Sequence, residues 1–240
     1  NLARMEEIFK THQPEIILHA AAFKHVPLGE TNPIETLRNN IGGTKNIIDL
    51  AVKYKTKSFT LISTDKAVAP SNVMGASKRI VEMLTMASEA EQSKLSASAV
   101  RFGNVLASAG SVVPFFDEQI ARGGPVTVTH QNVTRYFMTI TEASQLVIQA
   151  GAMAEKCEVY VLDMGESVKI KDLIEKMIKL SGLSIKDDKN LYGDIEIKIT
   201  GLRPGEKLYE ELLIGDNPQK TFHEKIKKAQ DSFISFSKLK

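Results

Sequence analysis

Three short runs of apolar, β-prone residues, separated by segments of helix length, constrain the fold of this chain most. The runs lie at residues 15–22, 58–63 and 95–102, and each has the length of a buried strand. Between them, residues 35–54 and 74–92 carry apolar side chains at helical spacing. Strands that alternate with helices build βα units. The sequence therefore predicts an α/β fold with a Rossmann-like parallel sheet and helices on both faces.

The second half of the chain has a different pattern. From about residue 103 the predicted strands are shorter and glycine is more frequent. We therefore expect a Rossmann-like region at residues 1–105 and a smaller α/β region, with strands returning to the main sheet, at residues 106–240. From residue 221 onward the polar, lysine-rich composition predicts a loosely held tail.

Composition and charge exclude several classes of protein. The net charge of +2 offers no electrostatic case for binding nucleic acid. The one cysteine, Cys157, rules out an internal disulfide and favours a reducing, cytoplasmic location. No run approaches the roughly 18 apolar residues of a membrane span, so we expect no membrane contact by this segment. The chain begins at Asn1 inside a helix-like pattern, and we expect it to be part of a longer protein.

The stretch from the second strand into the second long helix carries the candidate chemistry. Thr64, Asp65 and Lys66 follow the predicted strand, and ligands of open α/β sheets bind outside the carboxyl ends of the strands. Met74 and Lys78 lie four residues apart, so they share one face of the following helix.

This helix carries a variant of the Tyr-x-x-x-Lys signature of short-chain dehydrogenases. In that signature the lysine binds the nicotinamide ribose and lowers the pKa of the tyrosine, which then accepts a proton. Here the spacing is kept, but Met74 replaces the tyrosine and has no ionisable proton. A base must therefore come from elsewhere, and the nearest candidates in the sequence are Asp65 and Lys66.

Six blocks in register resemble the extended short-chain dehydrogenase/reductases. More narrowly, they are similar to the CapD-like nucleotide-sugar 4,6-dehydratases, in particular the membrane-anchored members that have methionine for tyrosine and act on UDP-N-acetylglucosamine. The blocks are HAAAFKHVPL at 19–28, NNIGGTKNIIDLA at 39–51, STDKAVAPSNVMGASKR at 63–79, RFGNVLASAGSVVPFF at 101–116, TRYFMTITEASQLV at 134–147 and TGLRPGEKLYEELL at 200–213.

The resemblance implies an NAD-dependent lyase of bacterial polysaccharide biosynthesis. The enzyme would remove water across C5 and C6 of a UDP-N-acetylhexosamine and give a 4-keto-6-deoxy sugar, with NAD taking a hydride from C4 and returning it to C6. It implies that Thr64 hydrogen-bonds the C4 oxygen, that Asp65 is the acid at the C6 hydroxyl and that Lys66 is the C5 base. Because Met74 cannot accept the C4 proton, Asp65 or an ordered water takes it.

The resemblance also implies the residues that bind cofactor and substrate. For NAD they are Ala20, Ala21, Ala22, Asn40 and Lys78, and residues 1–105 are then part of its binding domain. For the UDP-sugar they are Lys24, His25, Asn104, Arg135, Arg203 and Glu206. The two arginines would bind the diphosphate through their guanidinium groups, and Glu206 would orient Arg203 or meet a ribose hydroxyl. No metal site is expected.

Two departures from the family pattern limit the resemblance. The segment HQNVTRYFM at 130–138 differs from the family in its first residues, which affects fine substrate contacts. The family's Gly-x-x-Gly-x-x-Gly turn, which seats the dinucleotide pyrophosphate, does not occur in residues 1–240. About two βα units and a membrane-spanning region would precede Asn1, which would anchor the parent protein with this part in the cytoplasm. The two long helices would suit a homodimer interface.

The lack of the glycine turn gives a first prediction. Residues 1–240 alone bind NAD weakly, because the backbone amides that hold the pyrophosphate are not among them. Isothermal titration calorimetry measures this affinity, and tight binding by these residues would contradict the prediction.

Two other functions stay open at this point. A UDP-sugar 4-epimerase shares the fold and cofactor, but it normally needs the tyrosine that Met74 replaces and has no need for the Asp65–Lys66 pair. A non-catalytic protein of the same fold that binds a nucleotide sugar or a partner is the second alternative. The lack of the glycine turn favours it, and the intact Thr-Asp-Lys sequence argues against it.

Overall fold

The computed structural model describes residues 1–91, 95–108, 110–213 and 218–231. Its helices are α1 (Leu2–His12), α2 (Val26–Thr31), α3 (Pro33–Leu37), α4 (Gly43–Lys53), α5 (Val73–Glu91), α6 (Val112–Ala121), α7 (Ile140–Met153) and α8 (Ile170–Leu180). Its strands are β1 (Ile16–His19), β2 (Ser58–Ile62), β3 (Ser96–Arg101), β4 (Asn104–Val105), β5 (Val126–Val128), β6 (Thr134–Arg135), β7 (Phe137–Met138), β8 (Glu158–Leu162), β9 (Val168–Lys169), β10 (Ile185–Lys186), β11 (Ile195–Ile199), β12 (Gln219–Lys220) and β13 (Ile226–Lys228).

The chain divides into two compact units. Unit 1 comprises Asn1–Phe102, Ser144–Asp163 and Glu211–Lys240. Unit 2 comprises Gly103–Ala143 and Met164–Glu210. The chain therefore enters unit 2 twice, and each time it returns to unit 1.

The described strands of unit 1 include a six-stranded sheet in the order β1-β2-β3-β8-β13-β12. Strands β1, β2, β3 and β8 are parallel neighbours, and β13 joins β8 in antiparallel orientation. Parallel neighbours need crossover connections, which helices supply here. This arrangement confirms the predicted α/β class with a parallel, Rossmann-like sheet.

Alternating residues of β2 show that helices cover both faces of this sheet. Phe59 and Leu61 are fully buried in one cluster with Phe9 of α1 and Ile48 of α4. Thr60 points to the opposite face, because successive side chains of a strand alternate. There it meets α7, which approaches so closely that a Cβ at Gly151 would lie 2.6 Å from the Thr60 hydroxyl oxygen.

Unit 2 has its own small core. Strands β10, β11 and β5 form a parallel three-stranded sheet. Helix α8 places Ile170, Ile174 and Ile178 on one face at spacings of four, and they pack with Phe116 of α6 and Val128 of β5. Unit 2 is therefore a small α/β unit with its own apolar interior.

The prediction of a loosely held tail from residue 221 is wrong for the described part of that segment. Strand β13 pairs with β8 of the main sheet, and Ile226 is fully buried. The pairing through the backbone, together with one apolar side chain, outweighs the polar composition on which the prediction depended. Residues 232–240 lie outside the described part of the chain. No helix that the structure describes is both long and apolar enough to span a membrane.

Candidate active site and substrate cavity

The turn after β2 brings Thr64, Asp65 and Lys66 together. The Thr64 hydroxyl donates a hydrogen bond to Asp65 Oδ1 at 2.8 Å, and Lys66 Nζ donates to the same oxygen at 2.9 Å. The Asp65 side chain is fully buried, and its Oδ2 has no hydrogen-bond partner among the described residues. One carboxylate oxygen is thus held by its neighbours, and the other is left for a ligand.

The backbone of this turn is held by the neighbouring strand. Strands β2 and β3 are in parallel register, with Ile62 opposite Val100. Beyond their ends, the Asp65 amide donates to the Phe102 carbonyl at 3.1 Å. A short 3₁₀ turn, Asp65–Ala67, then leads the chain away from the sheet, with the Thr64 side chain at its N-cap. Asp65 is therefore placed by rigid strand ends, not by a free loop.

Helix α5 passes directly over the backbone of this turn. A Cβ added at Gly75 would lie 2.3 Å from the Lys66 carbonyl oxygen, so only glycine permits this approach. The start of the helix is held by two side chains, since Asn72 Oδ1 accepts from the Gly75 amide at 2.7 Å and Glu30 Oε1 accepts from the Val73 amide at 2.7 Å. The first turn of α5 and the 64–66 turn are therefore one packed unit.

Gly75→Ala tests this close approach. We expect a loss of about 1–3 kcal/mol in the free energy of unfolding, because overpacked sites force the backbone to move. Gly43→Ala is the matched control, since an added Cβ meets nothing within 4 Å in the described part of the chain and alanine favours a helix by up to about 1 kcal/mol. Urea unfolding measures both variants, and equal stabilities would contradict the packing described here.

Lys78 lies beside the same strand end. Its Nζ donates to the Ile62 carbonyl at 2.8 Å, and the residue is 7% exposed. Burial lowers the pKa of Lys78 from 10.5 to about 8, although the Glu82 carboxylate acts in the opposite direction. An ammonium group has three N–H bonds, so two beyond the one to Ile62 are available to a ligand. Met74, one turn earlier, is buried and packs near Gly29 of α2.

Asn40 is buried and makes hydrogen bonds with both ends of its side-chain amide. Its Oδ1 accepts from the Phe23 amide at 2.7 Å and from Asn39 at 3.1 Å. Its Nδ2 donates to the Phe23 carbonyl at 3.1 Å and to the Ser77 hydroxyl at 2.9 Å. The amide group of Asn40 thus joins the segment after β1 to α5. The predicted contact of Asn40 with the cofactor stays a prediction.

The segment after β1 presents its predicted site residues at the surface. Ala20 and Ala21 are exposed, and Ala22 is half-buried. Lys24 and His25 are exposed, and His25 directly precedes α2. Their predicted contacts with cofactor and substrate stay predictions.

His19, the last residue of β1, is held in one neutral tautomer. The Thr44 hydroxyl donates to the Asn40 carbonyl at 2.6 Å, so Thr44 can only accept from His19 Nε2 at 2.9 Å. Burial, followed by the positive charge of Lys78, lowers the pKa of His19 from 6.5 to about 4. The imidazole is therefore uncharged at neutral pH.

This pKa predicts a specific acid sensitivity. The unfolded chain binds a proton at His19 below about pH 6.5, and the folded chain binds it only near pH 4, so stability is lost as the pH falls between these values. His19→Gln keeps the Nε2–H donor but does not titrate. Between these pH values we expect its free energy of unfolding to fall by up to about 3 kcal/mol less than that of the wild type. Urea unfolding at several pH values checks the difference. The same pH dependence in wild type and variant would contradict it.

Unit 2 contains a cavity of about 590 Å³. Four predicted substrate-binding residues line it: Asn104, Arg135, Arg203 and Glu206. Apolar residues line the same cavity, among them Val112, Pro114, Phe115, Val128 and Ile170. A cavity lined by both charged and apolar side chains suits a ligand that has a charged part and a flat or apolar part.

Glu206 joins several polar groups at this cavity. Its Oε1 accepts from the Thr129 hydroxyl at 2.9 Å and from Arg135 Nη2 at 3.1 Å, and its Oε2 accepts from the Arg203 amide at 3.2 Å. Arg135 is buried and also donates to the Thr134 and Leu208 carbonyls. Arg203 is exposed. Glu206 thus holds the Arg203 backbone and the Arg135 guanidinium, which leaves the Arg203 side chain as the better candidate for an anionic ligand.

Sequence reasoning missed two polar groups of this cavity. Thr129 lines it and orients Glu206. The Ser111 hydroxyl oxygen is buried beside it with no partner among the described residues. Ser111 precedes the first residue of α6, and this position before an apolar helical run was the signal in the sequence.

The parallel sheet, the acid–amine pair past β2 and the lysine on α5 together define a Rossmann-type protein of the extended short-chain dehydrogenase/reductase class. Within that class, the chain belongs to the family described as polysaccharide biosynthesis protein, whose family model matches residues 1–231.

Two relatives show the similarity in sequence. The capsular polysaccharide biosynthesis protein CapD of Staphylococcus aureus is 53% identical over 236 residues, which are 98% of this chain and 38% of CapD. The probable polysaccharide biosynthesis protein EpsC of Bacillus subtilis (strain 168) is 55% identical over 210 residues, which are 88% of this chain and 34% of EpsC. The chain thus spans little more than a third of the length of these relatives.

Solved structures show the similarity in fold. The X-ray structure of Pen from Bacillus thuringiensis is 36% identical, with a TM-score of 0.80 over 89% of this chain and 65% of that one. DesIV, a dTDP-glucose 4,6-dehydratase from Streptomyces venezuelae solved with NAD and DAU bound, is 18% identical with a TM-score of 0.75. The match covers 92% of this chain and 73% of DesIV. At this identity DesIV supports the fold alone.

Proposed function

We propose that this chain carries the catalytic residues of an NAD-dependent nucleotide-sugar 4,6-dehydratase that acts on UDP-N-acetylglucosamine. The observation that supports this most is the buried Asp65 carboxylate, which contacts the Lys66 amine through one oxygen and has no described partner on the other. An acid and a base at adjacent positions are what elimination of water requires. Met74 at the usual tyrosine position makes this pair the nearest source of proton chemistry.

The Asp65–Lys66 contact supplies both catalytic groups by one proton transfer. When the Lys66 ammonium gives a proton to Asp65 across the 2.9 Å contact, the products are a neutral amine and a neutral carboxylic acid. The amine can then remove the C5 proton, and the acid can protonate the departing C6 hydroxyl. Because Asp65 already holds the proton of Lys66, an ordered water would take the proton of the C4 hydroxyl. Thr64, which contacts the same carboxylate, would hydrogen-bond the C4 oxygen.

The nicotinamide end of NAD fits the residues around β1 and β2. Lys78 has N–H bonds available at the end of β2, and the exposed Ala20 and Ala21 at the end of β1 leave the backbone open to a flat ring. NAD bound there would supply the hydride-transfer chemistry of the proposed reaction. Lys78 would bind the ribose hydroxyls, and Asn40 would hold the segment beside the ring.

The cavity of unit 2 would hold the UDP part of the substrate. Its volume of about 590 Å³ lies within the range of ligand pockets. Arg203 would pair with the diphosphate, with Asn104 facing the sugar or its first phosphate. The proposal also predicts that this part of the protein lies in the cytoplasm and that the protein forms a homodimer or a larger homo-oligomer.

The proposal is tested with the complete gene product, UDP-N-acetylglucosamine and NAD. Mass spectrometry should show a product lighter by one water, without net consumption of NAD. A product of unchanged mass with the C4 configuration inverted would instead show a 4-epimerase. Binding of the nucleotide sugar without any product would show a non-catalytic protein.

A further inference from the structure

A buried cluster of charged residues lies behind the 64–66 turn, and the proposed reaction does not use it. The guanidinium of Arg101, the last residue of β3, donates from Nε to Glu82 Oε1 at 2.7 Å and from Nη2 to Glu82 Oε2 at 2.6 Å. Arg101 and Glu82 are both 0% exposed. Asp231 and Arg79 complete the cluster, with Arg79 Nη1 donating to Asp231 Oδ2 at 2.6 Å. Two positive and two negative side chains thus balance in the interior.

Stability alone does not account for this cluster. An apolar group of the same shape is often as stabilising as a buried ion pair, because the charges must be removed from water. The distinctive property of a bidentate arginine–carboxylate pair is its defined geometry. The question is therefore what Glu82 and Arg101 hold in place.

Glu82 holds the end of β2. Ser63 directly precedes Thr64, and its hydroxyl donates to Glu82 Oε1 at 2.6 Å. Lys78 lies four residues before Glu82 on the same face of α5 and binds the carbonyl of Ile62. Two side chains one helical turn apart therefore hold two consecutive residues, Ile62 and Ser63, just before the turn.

Arg101 lies next to the other support of the turn. The residue after it, Phe102, accepts the hydrogen bond of the Asp65 amide. The 64–66 turn is attached to the end of β2 and hydrogen-bonded to the end of β3. The Arg101–Glu82 pair therefore connects the two strand ends that hold this turn. A shift in this pair would move Asp65 relative to Lys78, although the hydrogen bonds of Glu82 and Arg101 in the described residues go to Ser63, Arg79, Asp231 and each other.

We infer that Ser63, Glu82 and Arg101 are positioning residues that set the place of Asp65 and Lys66 relative to Lys78. This inference rests on the proposed function, because the positions of Asp65, Lys66 and Lys78 matter only if these three residues act in the reaction. Asp231 brings the segment after β13 into the same cluster, so the C-terminal part of unit 1 also supports the turn.

Ser63→Ala is the sharpest test, because it removes only the hydroxyl that joins the cluster to the turn and leaves the Arg101–Glu82 pair intact. Ser98→Ala is the matched control. Ser98 is also buried, in the neighbouring strand, but its hydroxyl bonds to Thr60, outside the cluster. In the complete gene product we expect Ser63→Ala to lower kcat by roughly 10- to 100-fold with KM within about two-fold of wild type, since small misplacements of reacting groups have effects of this size. We expect Ser98→Ala to keep wild-type kcat.

Amide hydrogen exchange tests the same inference without the reaction. Ser63→Ala should speed exchange of the Asp65 amide at least about 10-fold while amides within β2 and β3 keep their wild-type rates, whereas a general loss of stability would speed all of them. If the wild-type protein turns over no UDP-sugar, the proposed function fails, and the exchange data alone support or overturn the positioning role. Wild-type exchange at Asp65 in Ser63→Ala, or a kcat equal to that of Ser98→Ala, would overturn it.

Discussion

Asp65→Asn should lower the kcat of the complete gene product by about 10²–10⁴-fold, the usual contribution of general acid–base catalysis. Asparagine has nearly the shape of aspartate, and it can still accept hydrogen bonds from Thr64 and Lys66. It cannot take the proton of Lys66, so neither the acid nor the neutral amine forms. Lys66→Met should be equally inactive, because it removes the C5 base. Steady-state kinetics with UDP-N-acetylglucosamine measures both variants.

Met74→Ala is the control for these two variants. It alters a buried side chain on the first turn of α5 and removes no ionisable group, so its effect on kcat should be mild. Melting temperatures of the three variants show whether a loss of activity reflects unfolding. Retained activity in Asp65→Asn or in Lys66→Met would remove that residue from the mechanism.

Arg101→Met should lower the free energy of unfolding by about 3–5 kcal/mol, the usual effect of breaking a buried ion pair from one side. The substitution removes one of the two guanidinium groups that bond to both the Glu82 and the Asp231 carboxylates, and it leaves these carboxylates in the interior with Arg79 as their remaining shared partner among the described residues. Burial alone would raise the pKa of Asp231, but the bonds from Arg101 and Arg79 keep it below its ordinary value. Urea unfolding at neutral pH measures the change.

Arg122→Met is the matched control, since it makes the same substitution in an exposed pair. Glu118 lies on α6, and Arg122 follows the last residue of this helix, four residues later. Their side chains are 56% and 74% exposed. Exposed pairs contribute about 0–1 kcal/mol, so the loss should stay within that range. Similar losses in the two variants would show that the Arg101 cluster is not the buried support described above.

The sequence was sufficient for the fold class and for the local part of the candidate site. The alternation of apolar runs with helical segments predicted the parallel sheet, and the position of Asp65 and Lys66 after β2 predicted that they would stand together at its end. Both inferences depend on neighbours along the chain, which a single sequence shows directly. The expectation that Arg135 and Arg203 serve one ligand came from the family resemblance, not from their spacing in the sequence. Both residues line the cavity of unit 2.

The long-range contacts were beyond the reach of the sequence. Glu82 and Arg101 each look like ordinary polar positions, and their pairing depends on how β2, β3 and α5 align in space. Asp231 lies 130 residues after Arg101, and the polar composition around it predicted a loose tail instead of a buried carboxylate. The hydrogen bonds of Asn40 to Phe23 and Ser77 likewise follow only from the packed structure.

Exchange of the C5 hydrogen of UDP-N-acetylglucosamine with solvent is the measurement on which the assigned roles of the Asp65–Lys66 pair depend. In D₂O, nuclear magnetic resonance should show one deuterium at C5 of the product formed by the wild-type protein. It should show none at C5 of the sugar recovered from Lys66→Met. Deuterium at C5 with Lys66→Met at the wild-type rate would contradict the proposal that this amine removes the proton.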